Sequence, residues 1–143
     1  MSAQDSLFTP ERNGVYGVAA GMAEREPAVR NAGLTWVEVD LAGATDKSRV
    51  LRAFARALVL PRDFGANWDA LADCLQDFSW RPARGYVIEV RGAGAFAAAS
   101  HDDCRIMLDV LNDAAMYWRR HEKTFIVLMH GLHGLHGLPS FAA

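Results

Sequence analysis

With 143 residues, 51% of them hydrophobic and 22% charged, the chain can bury about two-thirds of its unfolded surface around one core, so staples of disulfide or metal are not required. A formal net charge of −2 is too small to argue for any partner by itself, and the longest apolar run, Phe125–Met129, is far too short to span a bilayer. Met1–Phe8 has no basic n-region and no apolar h-region, and the two cysteines, Cys74 and Cys104, read as reduced thiols rather than a disulfide framework; a cytoplasmic protein without a membrane partner is expected.

In chain order, Gly14–Val18 is a candidate short strand, and Met22–Asn31 a candidate helix with Pro27 in its first turns and Gly33 as its stop. The glycines weaken that strand, so an unstructured arm is the alternative. Trp36–Leu41 alternates as a strand with Val37, Val39 and Leu41 on one face. After the Gly43-Ala44-Thr45 turn, Thr45 is positioned to cap a helix running to Leu58, whose core side is Val50, Leu51, Phe54, Ala55 and Leu58 and whose other faces carry Arg49, Arg52 and Arg56.

The next stretch, Pro61–Phe78, is the most informative. Gly65 relieves a turn of its Cβ, Asn67 is a good N-cap, and a helix beginning at Trp68 would set Trp68, Leu71, Leu75 and Phe78 on one apolar stripe beside Ala72 and Cys74. Asp69, Asp73 and Asp77 recur at i, i+4, i+8 along the opposite edge. Each like-charged neighbour there costs roughly 0.2–0.5 kcal/mol. Asp69, near the helix start, is favoured by the macrodipole, but Asp73 and Asp77 lie beyond the first turn, so a cationic partner explains them better than a merely solvated face does. With Asp63, the stretch holds four acids against Arg62, a local net of −3, which excludes nucleic acid from this face.

Beyond a polar loop at Ser79–Gly85, Tyr86–Val90 is a strand, and Phe125–Met129, apolar without alternation, is a strand covered on both faces. Between them Ser100 with Asp103 forms a weak capping box for a helix whose buried face is Met107, Val110, Leu111, Ala114 and Trp118. The order βααβαβ implies an α/β fold with a small parallel sheet of three strands and right-handed crossovers, with a fourth strand to be added if Gly14–Val18 joins it.

The pattern Leu-Pro, two residues, aromatic-Gly-x-Asn-x-Asp-Ala-Leu-x-Asp-Cys-Leu, from Leu60 to Leu75, closely resembles the loop and second helix of the barstar family of ribonuclease inhibitors, and weaker matching extends over roughly Trp36 to Met129. On that resemblance residues 34–130 are a barstar-like domain, 1–33 an N-terminal extension and 131–143 a Gly/His-rich tail. The resemblance implies that the loop and helix enter the active site of a ribonuclease or other basic toxin protein, with carboxylates standing where RNA phosphates would lie. It assigns the contact surface to Asp63, Phe64, Gly65, Asn67, Trp68, Asp69, Ala72, Asp73, Gln76 and Asp77, with Asp69 and Asp73 as the principal inhibitory aspartates and Asp113 on the later helix as an outlying contact. Several positions depart from the family pattern. Asp63 stands in place of an aromatic contact, Ala72 in place of a tryptophan, and Gln76, Asp77 and Phe78 in place of threonine, glycine and tryptophan. Aromatic anchors are lost and an acid gained, which implies a partner with a different surface.

Enzymatic chemistry finds no support: the chain has no Walker-type loop, no nucleophile elbow and no cysteine pair at zinc spacing, and Gly92-Ala93-Gly94 is too short for a dinucleotide fingerprint. No cofactor is expected. His130, His133 and His136 recur every third residue in a glycine-rich segment and are weak candidates for nickel or zinc. Two other readings therefore stand beside the inhibitor: a non-inhibitory binding module for a basic partner, and a metal-binding protein using those histidines.

Overall fold

In a computed structural model, the structure describes residues 7–18, 25–132 and 137–141. Four strands, β1 (Gly14–Val18), β2 (Thr35–Asp40), β3 (Gly85–Arg91) and β4 (Thr124–His130), form one all-parallel sheet in the order β1-β4-β3-β2. The glycine-containing first strand thus joins the sheet, pairing Gly14 with Ile126 through Val18 with His130, and makes β4 an interior strand.

Parallel strands need crossovers, and the helices supply them: α1 (Glu26–Asn31) between β1 and β2, α2 (Lys47–Leu58) and α3 (Trp68–Leu75) between β2 and β3, and α4 (Gly94–Ala99) and α5 (His101–Arg120) between β3 and β4. Both faces of the sheet are covered. On one, Val37, Val39, Tyr86, Ile88, Val90, Phe125, Val127 and Met129 pack with the apolar sides of α2, α3, α4 and α5. On the other, Trp36, Val87, Ile126 and Leu128 pack with Val29, Phe8 and Phe141. This double coverage explains why β3 and β4 read as unbroken apolar runs.

Several local expectations are corrected. Of the Met22–Asn31 helix, Glu26–Asn31 is seen, with Pro27 in its first turn and Gly33 at φ 78 just past its end; residues 22–24 lie outside the described residues. The α2 cap is Asp46 rather than Thr45: the Arg49 N–H donates to Asp46 Oδ1 at 2.9 Å, because the helix begins one residue later than the turn suggested. Ser100 does not cap α5 with its side chain; its hydroxyl donates instead to Thr45 O at 2.8 Å, tying the start of α5 to the loop before α2. Short α4 has no strong sequence signal, being mostly alanine and glycine.

Asn13 joins the N-terminal segment to the rest. Its amide nitrogen donates to Ala115 O (3.1 Å) and Lys123 O (2.8 Å), and its carbonyl oxygen accepts from Phe125 N–H (2.7 Å), with the residue only 5% exposed. Thr124 adds a hydroxyl donation to Phe8 O at 3.0 Å.

Candidate protein-binding site

The acidic segment starts where α2 is stopped. Val59 adopts φ 55, ψ 55 as the C-cap, its N–H and that of Leu60 both reaching Ala55 O. A β-branched residue is strained there. Two carbonyls of that last turn are satisfied from a distant loop: Trp80 Nε1–H donates to Leu58 O (3.3 Å) and Arg81 Nη1–H to Ala57 O (3.2 Å). The loop leaving α2 is therefore fastened from below by residues that follow α3.

A turn with Phe64 N–H on Pro61 O (3.0 Å) brings the chain to Asn67, which caps α3 as expected: Ala70 N–H donates to Asn67 Oδ1 at 2.7 Å. The left-handed residue of this loop is Ala66, at φ 51, and not Gly65, at which a Cβ would meet its nearest neighbour, Asn67 Nδ2, at 3.4 Å. Gly65 is thus not required for the sign of φ.

Helix α3 is docked at both ends by indoles. Trp68 Nε1–H donates to Asp103 Oδ1 on α5 (3.2 Å), and Trp118 Nε1–H donates to Leu75 O (2.7 Å), satisfying a terminal carbonyl. Leu71 and Leu75 are fully buried, as is Phe78, whereas Trp68 is only half-buried and not the core residue the stripe suggested. Ala72 and Gln76 are half-buried; Asp63, Asp69, Asp73, Asp77 and Asp113 are exposed.

The row of three aspartates is interrupted. α3 ends at Leu75, the N–H groups of Asp77 and Phe78 both fall on Cys74 O, and Phe78 turns to φ 55. The physical reason is Phe78, whose ring stacks on Tyr86 with centroids 4.0 Å apart and on Trp80 at 5.0 Å, which draws the chain into the core. Asp77 consequently lies in a turn and accepts the Ser79 hydroxyl at 2.8 Å. Three of the four non-glycine residues at positive φ among the described residues, Val59, Ala66 and Phe78, bracket the loop and α3. Backbone strain concentrates in this element, as it does at functional sites.

Asp69 and Asp73 are left one turn apart on an exposed face, and neither makes a hydrogen bond or ion pair among the described residues. Cys74 reports the local field: burial pushes its thiol up, and the carboxylates of Asp73, Asp77 and Asp63 push it further. The loop acid and the two at the end of α3 therefore converge on one locality. Asp113 stands on α5 without a hydrogen bond or ion pair to the loop or α3 among the described residues.

Residues 34–130 match the family model of barstar, described as the barnase inhibitor. The chain belongs to the barstar family. No curated protein gives a significant match. The barstar-family match contains β2 to β4 and the whole of the acidic loop and α3, and leaves β1, Asn13 and Phe141 outside it. Barstar-family resemblance pointed to the loop and helix; the residues that hold them in place, Trp80, Arg81, Asp103 and Trp118, were missed as such. Trp80 and Arg81 carry only a polar-loop signal, and Asp103 carries that of a capping residue.

Of the histidines, His130 closes β4 with its Nε2 3.6 Å from Oε2 of the buried Glu89; His133 and His136 lie outside the described residues. Among the described residues no group of three His, Cys, Asp or Glu is arranged to hold a metal, and no helix is long and apolar enough to cross a membrane.

Proposed function

We propose that this barstar-family chain is an intracellular, antitoxin-like inhibitor of a ribonuclease or related basic toxin, and a binding protein rather than an enzyme. In this reading the loop and α3 enter the partner's active site, and Asp69 and Asp73 take the places of RNA phosphates, pairing with arginine or lysine through charge-assisted hydrogen bonds. The observation that carries it is the exposed Asp69 and Asp73, unpaired among the described residues, on a helix fixed by the Asn67 cap and by indole bonds at both ends. Such a helix loses little freedom on binding, so more of the interaction survives as affinity.

Asp63, Phe64 and the solvent sides of Trp68, Ala72 and Gln76 form the surround of that pair in this reading, with Asp77 and Asp113 as outer acids. The loss of aromatic contacts at positions 63 and 72 favours a partner that presents more positive charge and fewer flat apolar surfaces than barnase does.

Immobilised full-length chain and its Asp69→Ala/Asp73→Ala variant, exposed to lysate in parallel, test this directly. A basic nuclease retained by the wild type, released by salt but not by chelator, lost by the variant, and inhibited in an RNA-cleavage assay is the expected result. Retention of the same partner by both forms, or binding without any effect on cleavage, would overturn the inhibitor mechanism; release by chelator alone would favour the histidine segment.

A further inference from the structure

A second charged surface, of opposite sign, lies on α2. Arg49, Arg52 and Arg56 follow one another at i, i+3 and i+7, within an arc of about 60° on the helix. All three line one cavity of ≈ 240 Å³ between α2 and the turn after β2, whose other wall is built of Ala42, Gly43 and Ala44. The small residues of that turn leave the space open: a Cβ added at Gly43, which sits at φ +76, would meet nothing within 4 Å.

The guanidinium groups are weakly committed. Arg49 is 3.8 Å from Asp46, Arg52 donates only to the Ser48 hydroxyl (3.3 Å), and Arg56 makes no hydrogen bond or ion pair among the described residues. Asp40 is the carboxylate among the lining residues, and its Oδ1 accepts Ala42 N–H at 2.9 Å. Three cations and one anion give the lining a net charge of +2. Like charges stacked at these spacings repel; Asp46, the cap of α2, offsets Arg49 from 3.8 Å, and no acid within α2 offsets Arg52 or Arg56.

We infer that this cleft is an anion site for a terminal phosphoryl group, free or at the end of a small ester. A doubly charged tetrahedral group neutralises the excess charge, and its oxygens suit the planar forks of arginine, which bind phosphate in bidentate fashion. At ≈ 240 Å³ the cleft has room for one or two phosphoryl groups. The site owes nothing to Asp69 and Asp73, so it stands or falls independently of the proposed inhibitor function.

Inorganic pyrophosphate titrated into the full chain, followed by amide chemical shifts and calorimetry, tests it. Saturable binding is expected, with shifts centred on Gly43 and α2. Arg52→Gln/Arg56→Gln, changes to exposed side chains that the fold tolerates, should weaken binding by about tenfold or more, while Arg119→Gln/Arg120→Gln, an equal loss of charge at the end of α5, should change it by less than about twofold. Absence of saturation, equal weakening by both pairs, or tighter binding of a short RNA strand than of pyrophosphate would overturn the assignment.

Discussion

The indole nitrogen of Trp68 donates to a carboxylate oxygen of Asp103 at 3.2 Å, bridging thirty-five positions of sequence and binding the first turn of α3 to α5. The residue adjacent to the first acid of the proposed interface is thereby held by a charge-assisted bond in a half-buried setting. Trp68→Phe keeps most of the ring and removes that donor. Stability should fall by about 1–2 kcal/mol in urea denaturation, and partner affinity should fall with it because α3 is less well positioned. Unchanged stability and affinity would show the bond to be incidental.

For the acids themselves, Asp73→Ala should weaken partner binding by about 2 kcal/mol or more, chiefly through faster dissociation, and Asp69→Ala by less, since Asp69 lies in the first turn of α3 (Trp68–Leu75), where the helix dipole already occupies it. For Asp73→Ala, folding should be unharmed or improved by roughly 0.2–0.5 kcal/mol as the i, i+4 repulsion with Asp69 is removed. Asp77→Ala should act mainly on association rate, because its carboxylate is engaged with Ser79 in the turn beyond α3. Surface plasmon resonance across a salt series reads all three. Association should slow steadily as ionic strength rises, since the screening length shrinks, to roughly 8 Å near physiological salt.

These acids also show how far the chain could be read without coordinates. The Asn67 cap, the start at Trp68 and the burial of Leu71 and Leu75 follow from side-chain chemistry within a few residues of each other, and they stand. The exit of Asp77 from the row does not follow from local pattern. It depends on Phe78 finding Tyr86, eight residues on, and no helical periodicity encodes that pairing. The same holds for Ser100, whose hydroxyl prefers Thr45 O across fifty-five positions to the backbone beside it, and for Trp80 and Arg81, which satisfy α2 carbonyls more than twenty residues back. Strand β1 was legible because Gly14–Val18 is apolar between turn residues; its partner in the sheet was not.

Asn13 carries three hydrogen bonds, two of them buried, and Asn13→Ala would leave the Phe125 amide without its acceptor inside the core. A loss of about 2–3 kcal/mol is expected in chemical denaturation. Partner affinity, measured below the new midpoint, should not change, since Asn13 bonds to α5, to β4 and to the turn that joins them, and not to the acidic loop.

The thiols should be protonated and slow at neutral pH. Burial pushes Cys104 up to about 11, and Cys74 is raised by burial and by its acidic neighbours. Because thiolate is the reacting species, alkylation of native protein at pH 8 should be far slower than in denaturant, with Cys104 the slower of the two since it is also fully buried. The sign for stability follows: a thiol whose folded value lies above its unfolded value contributes fully below about pH 9, the unfolded value, and that contribution is lost as pH rises from there through about 11. Rapid labelling of native Cys104 would contradict this environment.

The pairing of β1 with β4 bears on solubility. β4 is seven residues long, six of them buried, and apolar throughout its centre; β1 lies beside it from Ile126 to His130, and the Phe125 N–H finds Asn13 Oδ1. The exposed margin passes instead to a five-residue strand containing two glycines, part of which is itself covered where Gly17 N–H donates to Pro139 O at 2.8 Å. Removing residues 1–18 would uncover Thr124–His130 as a long hydrophobic edge of the kind that templates strand addition between molecules, so the shortened chain should form aggregates even where its acidic face is intact.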